Sequence, residues 1–260
     1  MIDLSTAAIE LVDAGSFLLA LGMMGIAALY ASVGHGGASG YLAAMAIASV
    51  PPPQMRPTAL ILNLAVSVVG TMAFVRAGYV RSKVFVPLVV MAVPMAYLGG
   101  GMKLPPGVFH GLLAVGLTLA GVRLFYAPRQ RAKLCEPTVP VLMVVGGLLG
   151  FVSGLIGVGG GIFLTPLLIL LGWADARTAA GISAPFIFVN SAAGLAGLCK
   201  AGDVHVLPEW PLFLICVLVG GSFGATWGSG RAPDLRLRQA LGAVLAAAVV
   251  KLFLVAVGHA

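Results

Sequence analysis

Charged residues are scarce in this sequence. Only 9% of the 260 residues are Asp, Glu, Lys or Arg, whereas 60% are hydrophobic, and the mean hydropathy is +1.08. Ordinary soluble domains carry about 25% charged residues, so this chain cannot cover itself with polar surface. The residue alternation typical of an outer-membrane barrel is also missing. The composition therefore predicts an all-α integral membrane protein.

Acidic residues are absent from every long apolar run. All of them lie in loops or termini: Asp3, Glu10, Asp13, Glu136, Asp175, Asp203, Glu209 and Asp234. Cation and metal sites usually need carboxylates, so we expect no metal and no cofactor, although a cation site built from carbonyls alone stays open. Apart from His35 and His110, which share no motif, the apolar runs offer no convergent catalytic groups, so an enzyme is not expected. The net charge of +7 is scattered between apolar runs, which argues for membrane topology rather than nucleic-acid binding.

Ten apolar segments follow one another along the chain. They cover about 16–33, 38–50, 57–75, 84–101, 107–126, 138–157, 162–172, 178–199, 211–228 and 237–257. Eight of them approach the ~20 residues that a membrane-spanning helix needs. The second and the seventh are too short, and each directly follows a glycine-rich stretch. We expect these two to be re-entrant or broken helices, and the sequence leaves open whether they cross the membrane.

The basic residues predict an orientation. With the N-terminus outside, most Lys and Arg residues fall in cytoplasmic loops, in agreement with the positive-inside rule. The N-terminal Asp3, Glu10 and Asp13 are unlike the basic start of a signal peptide, so we expect this end to be part of the mature protein.

The chain is internally duplicated. Residues 57–80, PTALILNLAVSVVGTMAFVRAGYV, align without gaps with residues 181–204, GISAPFIFVNSAAGLAGLCKAGDV. We therefore expect a first repeat over 1–126, a basic cytoplasmic linker over 127–137 and a second repeat over 138–260. Because each repeat holds five segments, an odd number, the two repeats must have opposite orientations in the membrane. Such inverted repeats recur in transporters, and paired short segments interrupted by glycine indicate a site near the membrane midplane.

The two glycine loops are expected to bind an anion. Each loop precedes an apolar segment, so its N–H groups lie at a helix N-terminus, where free donors and the helix dipole favour negative charge. Close helix packing through small residues is the alternative explanation for these glycines. The candidate substrate-binding residues lie in the loops and in the helices beside them: Gly34, His35, Gly36, Gly37, Ser39, Asn63, Gly157, Gly159, Gly160, Gly161, Thr165 and Asn190.

Several candidates have an ordinary structural role as their alternative. His35 is a candidate for proton coupling, or a histidine bonded to backbone. Asn63 and Asn190 are ligands, or contacts between helices, and they lie one turn apart in the alignment. Arg56 and Arg177 precede the third and eighth segments, where they attract an anion to each mouth or anchor the helix ends.

The segments GVGGGIFLTPLL (157–168) and GHGGASGYLAAM (34–45), with the endings RAGYV and KAGDV, resemble the sulfite exporter TauE/SafE family. The resemblance covers residues 16 to 257 and implies a carrier of the bacterial inner membrane for a small sulfur oxyanion or sulfonate. The first half departs from the pattern, because Pro166 of the second half corresponds to Ala43. This leaves open whether the two loops contribute equally.

The sequence thus predicts a secondary carrier that works by alternating access and holds a sulfur-containing anion, with a co-transported proton as a candidate partner. An anion channel on the same scaffold and a membrane-embedded enzyme or assembly factor are the alternatives. The substrate, the direction of transport and the oligomeric state are not determined by the sequence.

Overall fold

The computed structural model describes residues 14–125, 134–202 and 204–230, and all regular structure in these ranges is helical. Within these ranges nine helices follow one another: α1 (Ala14–Ala31), α2 (Ala38–Ile47), α3 (Pro52–Arg76), α4 (Ser82–Gly101), α5 (Pro106–Phe125), α6 (Val139–Ile156), α7 (Gly161–Leu170), α8 (Ala176–Lys200) and α9 (Trp210–Gly230). The predicted all-α class is confirmed. The acidic N-terminal residues, most of the linker 127–137 and the tenth segment, 237–257, lie outside the described residues.

Six of the described helices are long and apolar enough to cross a membrane, namely α1, α3, α4, α6, α8 and α9. They correspond to six of the eight spans expected from the sequence. The fifth segment forms α5, in which the apolar helical stretch Gly107–Gly116 is shorter than the six spans. The remaining expected span is the tenth segment. The chain is therefore a multi-pass membrane protein.

The second and seventh segments form the short helices α2 and α7, as expected. Each has 10 residues. At about 1.5 Å per residue such a helix is roughly 15 Å long, half the thickness of the ~30 Å hydrocarbon core. Neither helix is long enough to span the membrane alone. Both begin at buried residues, Ala38 and Gly161, and end at exposed ones, Ile47 and Leu170.

Helix caps distinguish the short helices from the long α8. Asp175 caps α8 because its Oδ1 accepts hydrogen bonds from the N–H groups of Arg177 (3.0 Å) and Thr178 (2.9 Å). The N-caps of α2 and α7 are Gly37 and Gly160, which adopt left-handed φ values of 98° and 83° and offer no side chain. The first-turn N–H groups of the two short helices are consequently left for other partners.

The two 25-residue helices α3 and α8 pack antiparallel at the centre of the protein. A Cβ on Gly194, near the end of α8, would lie 3.8 Å from the side chain of Leu60 in the first half of α3. Further along α3, a Cβ on Gly70 would lie 3.7 Å from Cβ of Ala184. Residues later in α3 therefore contact residues earlier in α8, as they do when two helices run antiparallel. These two spans are also the most buried of the six.

The remaining long helices pack backbone to backbone through glycine. Helix α6 lies parallel to α4, and a Cβ on its glycines would overlap a carbonyl of α4: Gly146 with Leu88, Gly150 with Ala92 and Gly154 with Ala96. Helix α9 lies parallel to α1 in the same way, at Gly220 with Met24, Gly224 with Ala28 and Gly228 with Ser32. Helix α4 also packs on α8, and α9 on α3. The two halves of the chain are therefore interlocked.

Candidate functional site

Helices α1 and α6 end in the same way, just before the loops that lead into α2 and α7. The N–H of His35 bonds to the carbonyl of Tyr30 (2.9 Å), and the N–H of Val158 bonds to the carbonyl of Ser153 (3.3 Å), five residues back in both cases. Positive φ values occur in both loops, at Gly34 (75°), Gly37 (98°), Gly157 (84°), Gly159 (75°) and Gly160 (83°). We call residues 34–37 the first loop and 157–160 the second loop. Glycine adopts these conformations without the strain that a Cβ would introduce.

Both loops carry buried N–H groups that lack a protein acceptor. Within the described ranges, none is found for the N–H groups of Gly36, Gly37, Gly159, Gly160 and Gly161, and all five residues are buried. A buried N–H that makes no hydrogen bond is unfavourable, and most such groups in proteins have a partner. The two helix N-termini therefore present donors that an anion can use.

Asn63 of α3 lies between the two loops. Its Oδ1 accepts a hydrogen bond from the N–H of Ala38 (3.2 Å), and its Nδ2 donates to Oγ of Ser191 (2.8 Å). A Cβ on Gly36 would overlap Oδ1 of this amide, and a Cβ on Gly159 would overlap Nδ2. The structure thus brings both loops together on one side chain. Ser191, which is not among the predicted site residues, completes this contact.

Ile187 occupies the position in α8 that Asn63 occupies in α3, the twelfth residue of each helix. Its Cγ2 would lie 3.0 Å from a Cβ on Gly36 and 3.1 Å from one on Gly159. A Cβ on Gly161 would overlap its Cδ1. The loops are therefore enclosed by a polar side chain from α3 and an apolar one from α8.

His35 projects from the first loop towards the beginning of α7. Its Nδ1 lies 3.1 Å from the carbonyl oxygen of Val33, and its ring packs edge-on against Tyr30. Its Cδ2 would lie 3.8 Å from a Cβ on Gly161. The structure places this half-buried histidine where the two loops meet.

Ser39 and Thr165 brace the short helices. Oγ of Ser39 donates to the hydroxyl of Tyr30 (3.1 Å), which ties α2 to α1. Oγ1 of Thr165 donates to Oγ of Ser183 (2.7 Å), which ties α7 to α8. Both hydroxyls of the candidate set therefore have protein partners.

Asn190 and Ser153 are buried polar side chains of a different kind. Among the described residues, no hydrogen-bond partner is found for Oδ1 or Nδ2 of Asn190, or for the hydroxyl of Ser153. Asn190 is among the residues predicted from the sequence, and Ser153 is not. The signal for Ser153 was its position, because it lies four residues before the second loop, as Tyr30 does before the first.

Arg56 lies inside the protein. It is 6% exposed, and its guanidinium donates to four carbonyls, of Gly154 (2.9 Å), Gly100 (3.2 Å), Met102 (3.2 Å) and Gly99 (3.4 Å). Its aliphatic part would lie 3.4 Å from a Cβ on Gly157. These bonds hold the end of α4 against α6, so the structure places Arg56 beside the second loop and not at an open mouth.

Arg177 is exposed at the beginning of α8. Its Nη1 donates to the hydroxyl of Tyr79 (3.2 Å), and its guanidinium lies 5.9 Å above that ring. Nearby, partial burial raises the pKa of the Asp175 carboxyl, but hydrogen bonds from Thr178 and Arg177 outweigh this effect and leave the pKa below its ordinary value.

The charge around the loops is positive or zero. Of the charged side chains in the described ranges, Arg56 alone is buried, and no carboxylate is. In the same ranges no three His, Cys, Asp or Glu residues come together as a metal site would require. The site as a whole offers many hydrogen-bond donors and few acceptors, which suits an anion.

Comparison with known proteins identifies the family of the chain. Residues 18–252 match the family described as Sulfite exporter TauE/SafE. Over 247 residues the chain is 36% identical to a "Probable membrane transporter protein y4hK" of Sinorhizobium fredii, which covers 92% of this chain and 99% of that protein. It is also 42% identical over 85 residues to a "Probable membrane transporter protein" of Xylella fastidiosa, which covers 32% of this chain and 31% of that protein. No solved structure matches the chain.

The family match begins in α1 and extends beyond α9, so it includes both loops and every long helix described above. The resemblance expected from the glycine loops is confirmed, and the chain belongs to the sulfite exporter TauE/SafE family of membrane transporters.

Proposed function

We propose that this protein is a secondary carrier for a small sulfur-containing anion such as sulfite, thiosulfate or an organosulfonate. The observation that carries the proposal is that two buried loops with unpaired N–H groups, each at a helix N-terminus, meet at Asn63. An anion between them would accept hydrogen bonds from both and would be stabilised by both helix dipoles. The description of the family supports a sulfur-containing substrate.

We further propose that residues 1–126 and 138–260 are inverted repeats joined by the linker 127–137. Equal lengths support this, since α2 and α7 have 10 residues each and α3 and α8 have 25 each. The antiparallel packing of α3 on α8 supports opposite orientations, because corresponding helices of repeats with the same orientation would run the same way. Inverted repeats provide two related conformations, each open to one side of the membrane.

The proposed roles of the site residues follow from their contacts. The glycines shape the loops: Gly34, Gly36, Gly37, Gly157, Gly159, Gly160 and Gly161. The N–H donors are those of five of them, because the N–H groups of Gly34 and Gly157 bond to carbonyls of the preceding helices. Asn63 sets the distance between the loops, while Ser39 and Thr165 hold the short helices in place. His35 is the candidate for proton coupling, because it is the titratable side chain at the point where the loops meet. Arg177 would attract anions at the surface.

The membrane and the orientation are part of the same proposal. The chain would lie in the bacterial inner membrane with its N-terminus outside, because the basic loops then face the cytoplasm. The relatives from Sinorhizobium fredii and Xylella fastidiosa support a bacterial source of this transporter type.

The proposal is tested with the full chain purified in detergent. Its thermal unfolding is followed with sulfite, thiosulfate, sulfate, sulfoacetate, taurine, chloride and phosphate, each in turn. A ligand present at a hundredfold excess over its dissociation constant stabilises the folded state by about 2.7 kcal/mol. We expect stabilisation by one or more of the sulfur-containing anions and none by chloride.

The matched variants are Gly159→Ala and Gly202→Ala. Both glycines have positive φ values, but a Cβ on Gly159 would overlap Asn63, whereas one on Gly202 would meet no atom within 4 Å. Gly159→Ala should lose the ligand-induced stabilisation and Gly202→Ala should keep it. In proteoliposomes, saturable uptake of labelled anion that is accelerated by unlabelled anion inside identifies a carrier, while uptake through a channel would not saturate at modest substrate concentration. Absence of stabilisation by every anion would refute the proposal.

A further inference from the structure

The hydroxyl of Ser153 faces the second loop. Ser153 lies in the last turn of α6 and is 1% exposed. Its Oγ would lie 3.4 Å from a Cβ on Gly160. Within the described chain this hydroxyl has no hydrogen-bond partner. A buried hydroxyl beside unpaired N–H groups is an additional ligand for whatever those groups bind.

The amide of Asn190 faces the same region from α8. One turn before it, the ring of Phe186 would lie 3.0 Å from a Cβ on Gly160, and one turn after it, a Cβ on Gly194 would lie 3.6 Å from Cα of Gly154. Residues four apart lie on one face of a helix, so Asn190 faces the stretch of α6 and the second loop between Gly154 and Gly160. Asn190 is fully buried, and neither of its polar atoms has a protein partner in the described ranges.

The first loop has no equivalent of this pair. Tyr30, which corresponds to Ser153, shares a hydrogen bond with Ser39. Val66 takes the place of Asn190, since both are the fifteenth residue of their helix, and it has no polar atom in its side chain. Among the described residues around the two loops, unsatisfied polar side chains therefore lie beside the second loop and not beside the first.

The pair differs chemically from the loop amides. Main-chain N–H groups only donate hydrogen bonds, whereas a carboxamide has two donors on nitrogen and an acceptor oxygen, and a hydroxyl can do either. This holds whichever way the amide of Asn190 is oriented. A ligand that has only acceptor oxygens would satisfy the N–H groups and would leave the Asn190 oxygen facing negative charge. A ligand with its own O–H or N–H group would satisfy both.

We propose that the second loop, Ser153 and Asn190 form a half-site that selects a singly charged anion carrying its own O–H or N–H donor. Hydrogensulfite and hydroxyl-bearing sulfonates have this chemistry, while sulfate and methanesulfonate do not. The inference rests on the proposed function and deepens it by naming the protonation state of the substrate. A proton would then cross the membrane as part of the substrate.

The charges around the half-site agree with a single negative charge. The side chain of Arg56 lies against Gly157. Because its Nη1 and Nη2 groups donate to carbonyls, Arg56 would attract the anion by its positive charge and not by a hydrogen bond. His35 approaches from the first loop, at Gly161. Helices α6 and α7 contain no charged residue or histidine, and α8 contributes Arg177 and Lys200 only near its ends.

The first test compares sulfite with methanesulfonate over a range of pH, using binding to the purified full chain. Hydrogensulfite loses its proton near neutral pH, and methanesulfonate does not titrate. We expect the affinity for total sulfite to fall as the pH rises through this ionisation, and the weaker affinity for methanesulfonate to stay constant. Parallel changes for both ligands would assign the pH dependence to the protein, and equal affinities would show that no donor is required. Either result would overturn the half-site.

The second test uses Asn190→Leu and Ser153→Ala, with Thr71→Val as the matched control. Thr71 also has a buried hydroxyl without a protein partner, but it lies in α3, two turns beyond Asn63. Loss of one hydrogen bond to a charged ligand corresponds to a decrease in affinity of about tenfold or more. We expect this decrease for sulfite in both site variants and unchanged affinity in the control.

Stability distinguishes a ligand role from a structural role. If Asn190 is satisfied only by the ligand, Asn190→Leu removes an unpaired buried group and raises the melting temperature of the ligand-free protein. A lower melting temperature would mean that Asn190 holds helices together and would overturn its assignment. If the unaltered protein binds no sulfur anion, the proposed function fails. If it binds sulfite and both site variants bind equally well, only the half-site fails.

Discussion

The contact between Gly36 and Asn63 makes a sharp prediction. The φ value of Gly36 is not in the left-handed region, so alanine suits its backbone, and only space opposes the substitution. The added methyl group would overlap Oδ1 of Asn63 and would lie 3.0 Å from Ile187. The amide of Asn63 would have to rotate, which breaks its hydrogen bonds to the N–H of Ala38 and the hydroxyl of Ser191.

The cost of Gly36→Ala follows from these contacts. Each lost hydrogen bond contributes about 0.5–1.5 kcal/mol and overpacking costs about 1–3 kcal/mol, so the variant should lose roughly 2–6 kcal/mol of unfolding free energy. For a chain of this size, 1 kcal/mol corresponds to about 2–4 °C in melting temperature. Gly25→Ala is the control, because Gly25 lies in α1 with no atom within 4 Å of its Cβ position. It should be neutral or stabilising by up to about 1 kcal/mol.

Thermal unfolding in detergent and anion uptake into proteoliposomes measure both consequences. The double variant Gly36→Ala with Asn63→Ala provides the sharper check, since Asn63→Ala removes the atoms that the new methyl group overlaps. We expect it to be more stable than the sum of the single effects predicts, by about 1 kcal/mol or more. If the two effects add, or if Gly36→Ala unfolds at the same temperature as Gly25→Ala, the close approach of the first loop to Asn63 is wrong.

Three further predictions concern other parts of the fold. Gly160→Ala and Gly202→Ala both place alanine at a positive φ, which costs about 1–2 kcal/mol. A methyl group at position 160 would also lie 3.0 Å from the ring of Phe186. Calorimetry should therefore show a larger loss of stability for Gly160→Ala, and equal losses would contradict the packing. Gly150→Ala drives a methyl group into a carbonyl of α4 and should destabilise the protein by about 1–3 kcal/mol, whereas Gly147→Ala makes only an ordinary 3.6 Å contact and should not. Asp175→Ala removes an N-cap and should cost about 1 kcal/mol at neutral pH. Because the pKa of Asp175 is lowered in the folded state, its stabilisation is present above the unfolded pKa of about 3.9 and disappears as the pH falls through the lower folded value. A melting-temperature profile against pH should therefore show a smaller difference between Asp175→Ala and the unaltered protein in acid than at neutral pH.

Much of the secondary structure could be predicted from the order of residues alone. The expected segment 84–101 became α4 at Ser82–Gly101, and the expected segment 38–50 became α2 at Ala38–Ile47. Such agreement has a local cause, because a long apolar run in lipid must form a helix to satisfy its own N–H and carbonyl groups. The short lengths of α2 and α7 could also be predicted from the sequence, because a glycine-rich stretch interrupts the apolar run before each of them.

The candidate site was predictable only in part. Consecutive glycines before a helix identify both loops, because the backbone conformation that glycine permits depends only on neighbouring residues. The roles of Asn63 and Asn190 were not separable in the sequence, where they lie one turn apart in aligned helices. The structure gives Asn63 two partners, one of them Ser191, and leaves Asn190 without any in the described ranges.

The sequence by itself determined the membrane class, the family, the helical segments and the positions of the two loops, since hydropathy and glycine act over a few neighbouring residues. Only the tertiary structure decided which side chains meet at the loops. Arg56, for which the sequence left open a place at a mouth or an anchoring role, is buried against carbonyls of α4 and α6, and Ser153 lies beside the second loop. The hydrogen bonds of Arg56 join residues 43 to 98 positions apart, whereas Ser153 is close to its loop in the chain. They depend on how helices pack, and in a uniformly apolar chain hydropathy does not specify which face of a helix meets which neighbour.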